Sequence, residues 1–232
     1  MDFTQWRATA RRLLAQDVPP HEAHWDEPGQ NALFVPAVPG DAPARAAIRV
    51  PARLLPVLQD AACHRSPRRL GLMYRALWRI THGERALPED PADDDMRALY
   101  VMQREVRRDR HKMTAFVRFR ELRDAAGGEA RWIAWFEPSH RILASVAPFF
   151  VERFGTMHWT IATPDGIATW DRHALALLVT RRQIQRRGQL HAARQDITVL
   201  AELTHRVEVH RAHAIQELTE LRHACAVLRF DR

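Results

Sequence analysis

Met157-His-Trp-Thr-Ile-Ala-Thr-Pro-Asp-Gly-Ile-Ala-Thr-Trp170 is the stretch that sets the fold class. Two runs rich in β-branched and aromatic residues flank Pro164-Asp165-Gly166. Proline presets φ, aspartate hydrogen-bonds back to its own main chain, and glycine accepts positive φ, so the triplet predicts a hairpin turn. Just upstream, Ile142, Leu143, Val146, Phe149, Phe150 and Phe154 recur at helical spacing and predict an amphipathic helix. A second hairpin is expected before that helix. Thr114-Ala-Phe-Val-Arg-Phe-Arg-Glu121 alternates in part, Asp124-Ala-Ala-Gly-Gly128 turns, and Arg131-Trp-Ile-Ala-Trp-Phe136 returns. Several helices beside a small, mainly antiparallel sheet of two hairpins make the class α+β.

Toward the N-terminus, Leu54, Leu55, Leu58, Ala61 and Ala62 form a helical stripe. Ser66-Pro67 is expected to open the next helix, with Leu70, Met73, Leu77 and Ile80 on one side and an end near His82-Gly83. Glu89-Asp-Pro-Ala-Asp-Asp-Asp95 is an acidic helix start, favourable at the positive end of the helix dipole. Met96, Leu99, Val106 and Met113 share one face of the helix that it opens. These elements define a core domain over 53–172. Residues 1–52 carry seven prolines, a short helix on Phe3, Trp6, Leu13 and Leu14, and two short strands at 31–35 and 46–50. Residues 173–232 contain no proline and much Arg, His, Gln and Ala, which reads as a helical C-terminal extension.

With 232 residues, 46% hydrophobic and 27% charged, the chain buries a core without disulfides, and wholesale disorder is excluded. Two distant cysteines, Cys63 and Cys225, make neither a disulfide framework nor a paired-cysteine zinc site, which suits a reducing cytoplasm. No apolar run reaches the ~18 residues of a membrane span, and the first residues lack the pattern of a secretory signal. The formal charge is +7, and Lys112 is the sole lysine, so the basic residues are almost all arginine. The guanidinium fork binds phosphate bidentately, so this surplus permits nucleic-acid binding without demonstrating it.

The densest basic segment, residues 104–123, holds eight Lys/Arg against three Asp/Glu. Arg104, Arg107, Arg108 and Lys112 on a helix, with Arg118 and Arg120 two apart on a strand, are the expected nucleic-acid-binding strip. The competing reading is a solvated face paired with nearby acids. Asp109 falls toward the apolar side of its helix, where a carboxylate needs a partner: an arginine such as Arg79, Arg118 or Arg120, or a proton-transfer role with His111 or His140. Phe136-Glu-Pro-Ser-His140 joins a strand to a helix, with Pro138 or Ser139 opening that helix and Glu137 and His140 near its N-terminus. Asp109, His111, Glu137 and His140 are therefore the candidate catalytic residues. The 13 histidines, including His205, His210 and His213, give no ligand set, and no phosphate loop, nucleophile elbow or zinc-deaminase signature is present. The expectation is no metal and no cofactor.

Leu72-Met-Tyr-Arg-Ala-Leu-Trp-Arg-Ile-Thr-His-Gly-Glu84, Met102-Gln-Arg-Glu-Val-Arg-Arg-Asp-Arg-His-Lys-Met113, Ala134-Trp-Phe-Glu-Pro-Ser-His140, Ala147-Pro-Phe-Phe-Val-Glu-Arg-Phe154 and the hairpin to Asp171 together resemble a bacterial family. Its members bear the name probable DNA metabolism protein and carry a domain of unknown function. The resemblance covers roughly residues 1–173. It implies company with a DNA-repair-type radical SAM protein, or fusion to a uracil-DNA glycosylase-like domain. Past Asp171 the chain departs from the pattern: the glycosylase motifs do not appear, so that activity is not inherited. The tail is either an alternative extension or an out-of-frame read of a GC-rich gene. The function expected is a DNA-metabolism or repair accessory module that contacts DNA or docks such an enzyme. The alternative is an enzyme acting on a DNA lesion through the four candidates above.

Overall fold

The computed structural model describes residues 1–25, 50–122 and 130–179. The chain divides into two compact units: residues 1–111 with 139–141, and residues 112–138 with the chain from Ile142.

The first unit is helical. Helix α1 (Phe3–Ala15) opens with a capping box, in which the Asp2 carboxylate accepts from the Gln5 main-chain N–H at 2.8 Å and Gln5 reaches back to the Asp2 N–H. Its buried residues Trp6, Ala10 and Leu14 join the core formed by α2 (Leu54–Cys63) and α3 (Arg69–Thr81). Trp6 also donates its indole N–H to the Leu70 carbonyl at 3.2 Å. Helix α3 starts at Arg69 rather than at Ser66-Pro67. Ser66 still prepares the start, since its hydroxyl accepts from the Arg68 N–H at 3.3 Å. The helix ends as expected, with Gly83 at φ +118°, a conformation that costs glycine little.

Helix α4 is continuous over Asp94–Phe116, capped by the Asp93 carboxylate on the Met96 N–H at 2.9 Å. Met96, Leu99, Val106 and Met113 are all fully buried, as their spacing requires. The expected strand over Thr114–Glu121 is displaced by this helix. Residues 114–116 continue it, the Val117 N–H bonds to the Met113 carbonyl at 3.1 Å, and strand β1 is only Arg120–Leu122.

The second unit is a five-stranded sheet with strands in chain order: β1, β2 (Arg131–Trp135), β3 (His158–Thr163), β4 (Gly166–Trp170) and β5 (Leu175–Val179). Pairing is antiparallel except for β2 with β3, which are parallel and joined through α5 (Leu143–Arg153). Parallel neighbours need such a crossover. The expected β3–β4 hairpin forms, with Thr163 opposite Gly166. Strand β5 lies in the stretch expected to be helical extension. Residues 180–232 of that stretch, with His205, His210, His213 and Cys225, and the strands expected at 31–35 and, up to residue 49, at 46–50 lie outside the described residues. The fold is therefore α+β with a mostly antiparallel sheet. No described helix is long and apolar enough to cross a membrane.

Candidate functional site

Two short stretches of irregular chain meet in the helical unit. One leaves α2 at Cys63 and runs to Ser66; the other is Ser139–Arg141. The Arg141 N–H donates to the Cys63 carbonyl at 2.9 Å, and the Arg65 guanidinium donates to the Ser139 carbonyl at 3.0 Å. Asp109, 6% exposed on α4, accepts the His140 main-chain N–H at 2.8 Å. The buried carboxylate does find a partner, but it is an amide rather than Arg79, Arg118 or Arg120. Arg79 is held instead by Glu84, Asp93 and Asp95.

This clasp brings the His140 ring against His64, centroid to centroid 4.3 Å, and His64 Nε2 lies 2.9 Å from a Glu105 carboxylate oxygen. Consecutive main-chain amides fix both rings. The Arg65 N–H donates to His140 Nδ1 at 3.3 Å and the Ser66 N–H to His64 Nδ1 at 3.1 Å. A main-chain N–H only donates, so each Nδ1 keeps its lone pair and the neutral ring carries its proton on Nε2. His64 therefore donates to Glu105. Burial holds His140 below the ordinary imidazole pKa, aided by His64 and Arg65, against the opposing pull of Asp109 and Glu105.

His64, Glu105 and His140 each offer a ligand atom, all within 4.8 Å of one another, and two imidazoles with a carboxylate suit a divalent transition metal. The hydrogen bonding disfavours that use. A ligating histidine donates its second ring N–H outward, whereas here each Nδ1 already receives an amide proton. Ligation through Nε2 would leave the ring with no proton at all. With each Nδ1 held by an amide, the neutral rings can only donate through Nε2, as His64 does to Glu105. Of the expected catalytic residues, His140 and Asp109 belong to this arrangement, Asp109 through the main chain. His111 is exposed on α4, and Glu137, in the sheet unit, accepts from the Trp135 indole at 3.3 Å. Helix α5 begins at Leu143, so neither Pro138 nor Ser139 opens it. Sequence reasoning missed His64 and Glu105. The one signal for Glu105 was its position four residues before Asp109, on the same side of α4.

The arginines and the lysine over 104–112 of α4 divide into two groups. Asp60, 5% exposed on α2, accepts from Gln103 at 3.1 Å, from Arg107 Nε at 2.9 Å, and from Arg110. Arg107 is thus held by structure. Arg104, Arg108 and Lys112 are exposed, and their side chains make no hydrogen bond or ion pair among the described residues. They occupy positions i, i+4 and i+8, one ridge of the helix. In the sheet unit, Arg118 is exposed and turns its guanidinium onto the Ala115 and Val117 carbonyls at 2.8 and 3.1 Å, and Arg120 is exposed on β1.

No curated protein and no solved structure matches the chain. One family model does match, described as a domain of unknown function (DUF4130), and it aligns with residues 67–218, about two thirds of the sequence. That span takes in α3, α4 and the whole sheet, together with Glu105 and His140 of the histidine arrangement, and on it the chain belongs to the DUF4130 family.

Proposed function

We propose that the protein is a nucleic-acid-contacting accessory module of DNA metabolism, holding a phosphate backbone along α4. The observation that carries this reading is the ridge of Arg104, Arg108 and Lys112: three exposed cations on successive turns with no acidic partner among the described residues. Four helical residues rise about 6 Å, a step comparable to that between successive phosphates on a strand. Arg97, on the same helix, has a carboxylate partner in Asp94, and the ridge residues have no such partners among the described residues. A ridge left without them is poised for an external anion.

The resemblance to DNA metabolism proteins supports the same direction. It makes a radical SAM or uracil-DNA glycosylase-like enzyme the partner to which such a module would deliver DNA. The test is fluorescence anisotropy with labelled DNA across a salt series, comparing wild type with the double variant Arg104→Ala/Arg108→Ala. Each lost phosphate contact should lower the slope of log affinity against log salt by about 0.7–0.9. The double variant is expected to lose about twice that. An unchanged slope, or no binding at low salt, would overturn the reading.

A further inference from the structure

The ridge does not stop at Lys112. Its next position, one turn further, is Phe116, the last residue of α4, whose side chain is 64% exposed. Among the described residues, the other exposed large hydrophobics, Leu55, Phe149 and Leu177, lie at 42–43%. Phe116 is not the neglected edge of a core. Met113 and Val117 on either side of it are buried and carry the helix's packing there.

From this alignment we infer that α4 is a platform for a single, unpaired nucleic-acid strand, with successive phosphates on Arg104, Arg108 and Lys112 and a base stacked on the Phe116 ring. The inference rests on the phosphate-binding reading above and names the form of nucleic acid that the ridge takes. In a duplex the bases are already stacked on one another and offer no free face along the backbone. An unpaired strand offers a face at every nucleotide, and a cationic track ending in an aromatic ring matches it. A phenylalanine ring has no hydrogen-bonding group, so it reads no base edge. The platform therefore tolerates any base and favours those with the larger stacking surface.

The experiment uses the full chain, with labelled single strands of uniform sequence, purine and pyrimidine, deoxy and ribo, and a duplex of equal length. Phe116→Ala is compared with Phe116→Trp and with Arg104→Ala/Arg108→Ala, and thermal denaturation verifies folding of each. Phe116→Ala should weaken single-strand binding about tenfold, leaving duplex affinity and the salt slope unchanged. Phe116→Trp should restore it, and purine strands should bind more tightly than pyrimidine strands. The deoxy and ribo arms show whether the platform binds DNA or RNA more tightly. Equal losses on single strand and duplex, or no loss in Phe116→Ala, would overturn this inference while the arginine variant still tests the phosphate reading. Absence of binding to every strand would overturn both.

Discussion

In the helical unit two buried carboxylates are answered by arginine, while Asp109 takes a main-chain amide and the buried Arg69 donates to the Ala62 and Ser66 carbonyls. Asp60 is held by Arg107 and Arg110, and Asp95 takes both Arg75 and Arg79. Among the described residues of the sheet unit, three threonines carry buried hydroxyls. Thr160 and Thr169 face each other across β3 and β4 at 3.3 Å, and Thr163 donates to the Gly166 carbonyl at 2.9 Å. Around them Phe119, Phe150, Phe154 and Trp159 meet ring to ring. The contrast sorts this protein's many arginines. Where an arginine answers a buried acid its charge is already neutralised, and what remains for a partner is the set with no such acid. Charge density along residues 104–123 could not make that distinction, because Arg107 and Arg108 look identical in sequence.

The contrast is most vulnerable at its most packed point. Phe150, 1% exposed in the aromatic cluster, should cost about 4 kcal/mol on truncation to alanine, seen as a large fall in denaturation midpoint. A loss near 1 kcal/mol would mean that the aromatic cluster is not the sheet unit's core. Next is Asp60→Ala, which leaves Arg110, Arg107 and Gln103 without their acceptor. About 3 kcal/mol is expected from chemical denaturation, and a neutral result would dissolve the division of arginines drawn above. A smaller effect concerns His140. Its folded pKa lies below the ordinary 6.5, so the unfolded chain takes up the proton first as pH falls. The neutral ring's contribution is therefore intact above pH 6.5 and is lost as pH drops through the lower folded value. Thermal melts across that window should show a decline that His140→Gln flattens. A His140 that titrates at or above 6.5 by NMR would contradict the buried, amide-fixed ring.

What the sequence made legible was local. Pro164-Asp165-Gly166 names its own turn, and the heptad-like row of Met96, Leu99, Val106 and Met113 names its own buried face. The end of α4 was not legible, because the partial alternation after Thr114 imitates a strand while main-chain bonding to Met113 keeps the helix going. Strand β5 was hidden for a related reason: Leu175–Val179 is apolar enough for either state, and only pairing with β4 decides. For the site, the sequence demanded a partner for Asp109 but could not supply it. An amide 31 residues away carries no side-chain signature. His64 lies further still from both Glu105 and His140, and only the Cys63–Arg141 clasp brings it to them.

Neighbouring arginines, set against each other, put the proposed phosphate-binding ridge to its sharpest test. Arg107→Ala and Arg108→Ala would be measured side by side for thermal stability and for the salt slope of DNA binding. Arg108→Ala should leave stability within about 0.5 kcal/mol of wild type. It should also lower the slope by nearly one. Arg107→Ala should lower stability through Asp60 and leave most of the slope in place. Equal slopes in the two variants, or a loss of slope only with Arg107, would contradict the assignment of the unpaired ridge as the phosphate-binding surface.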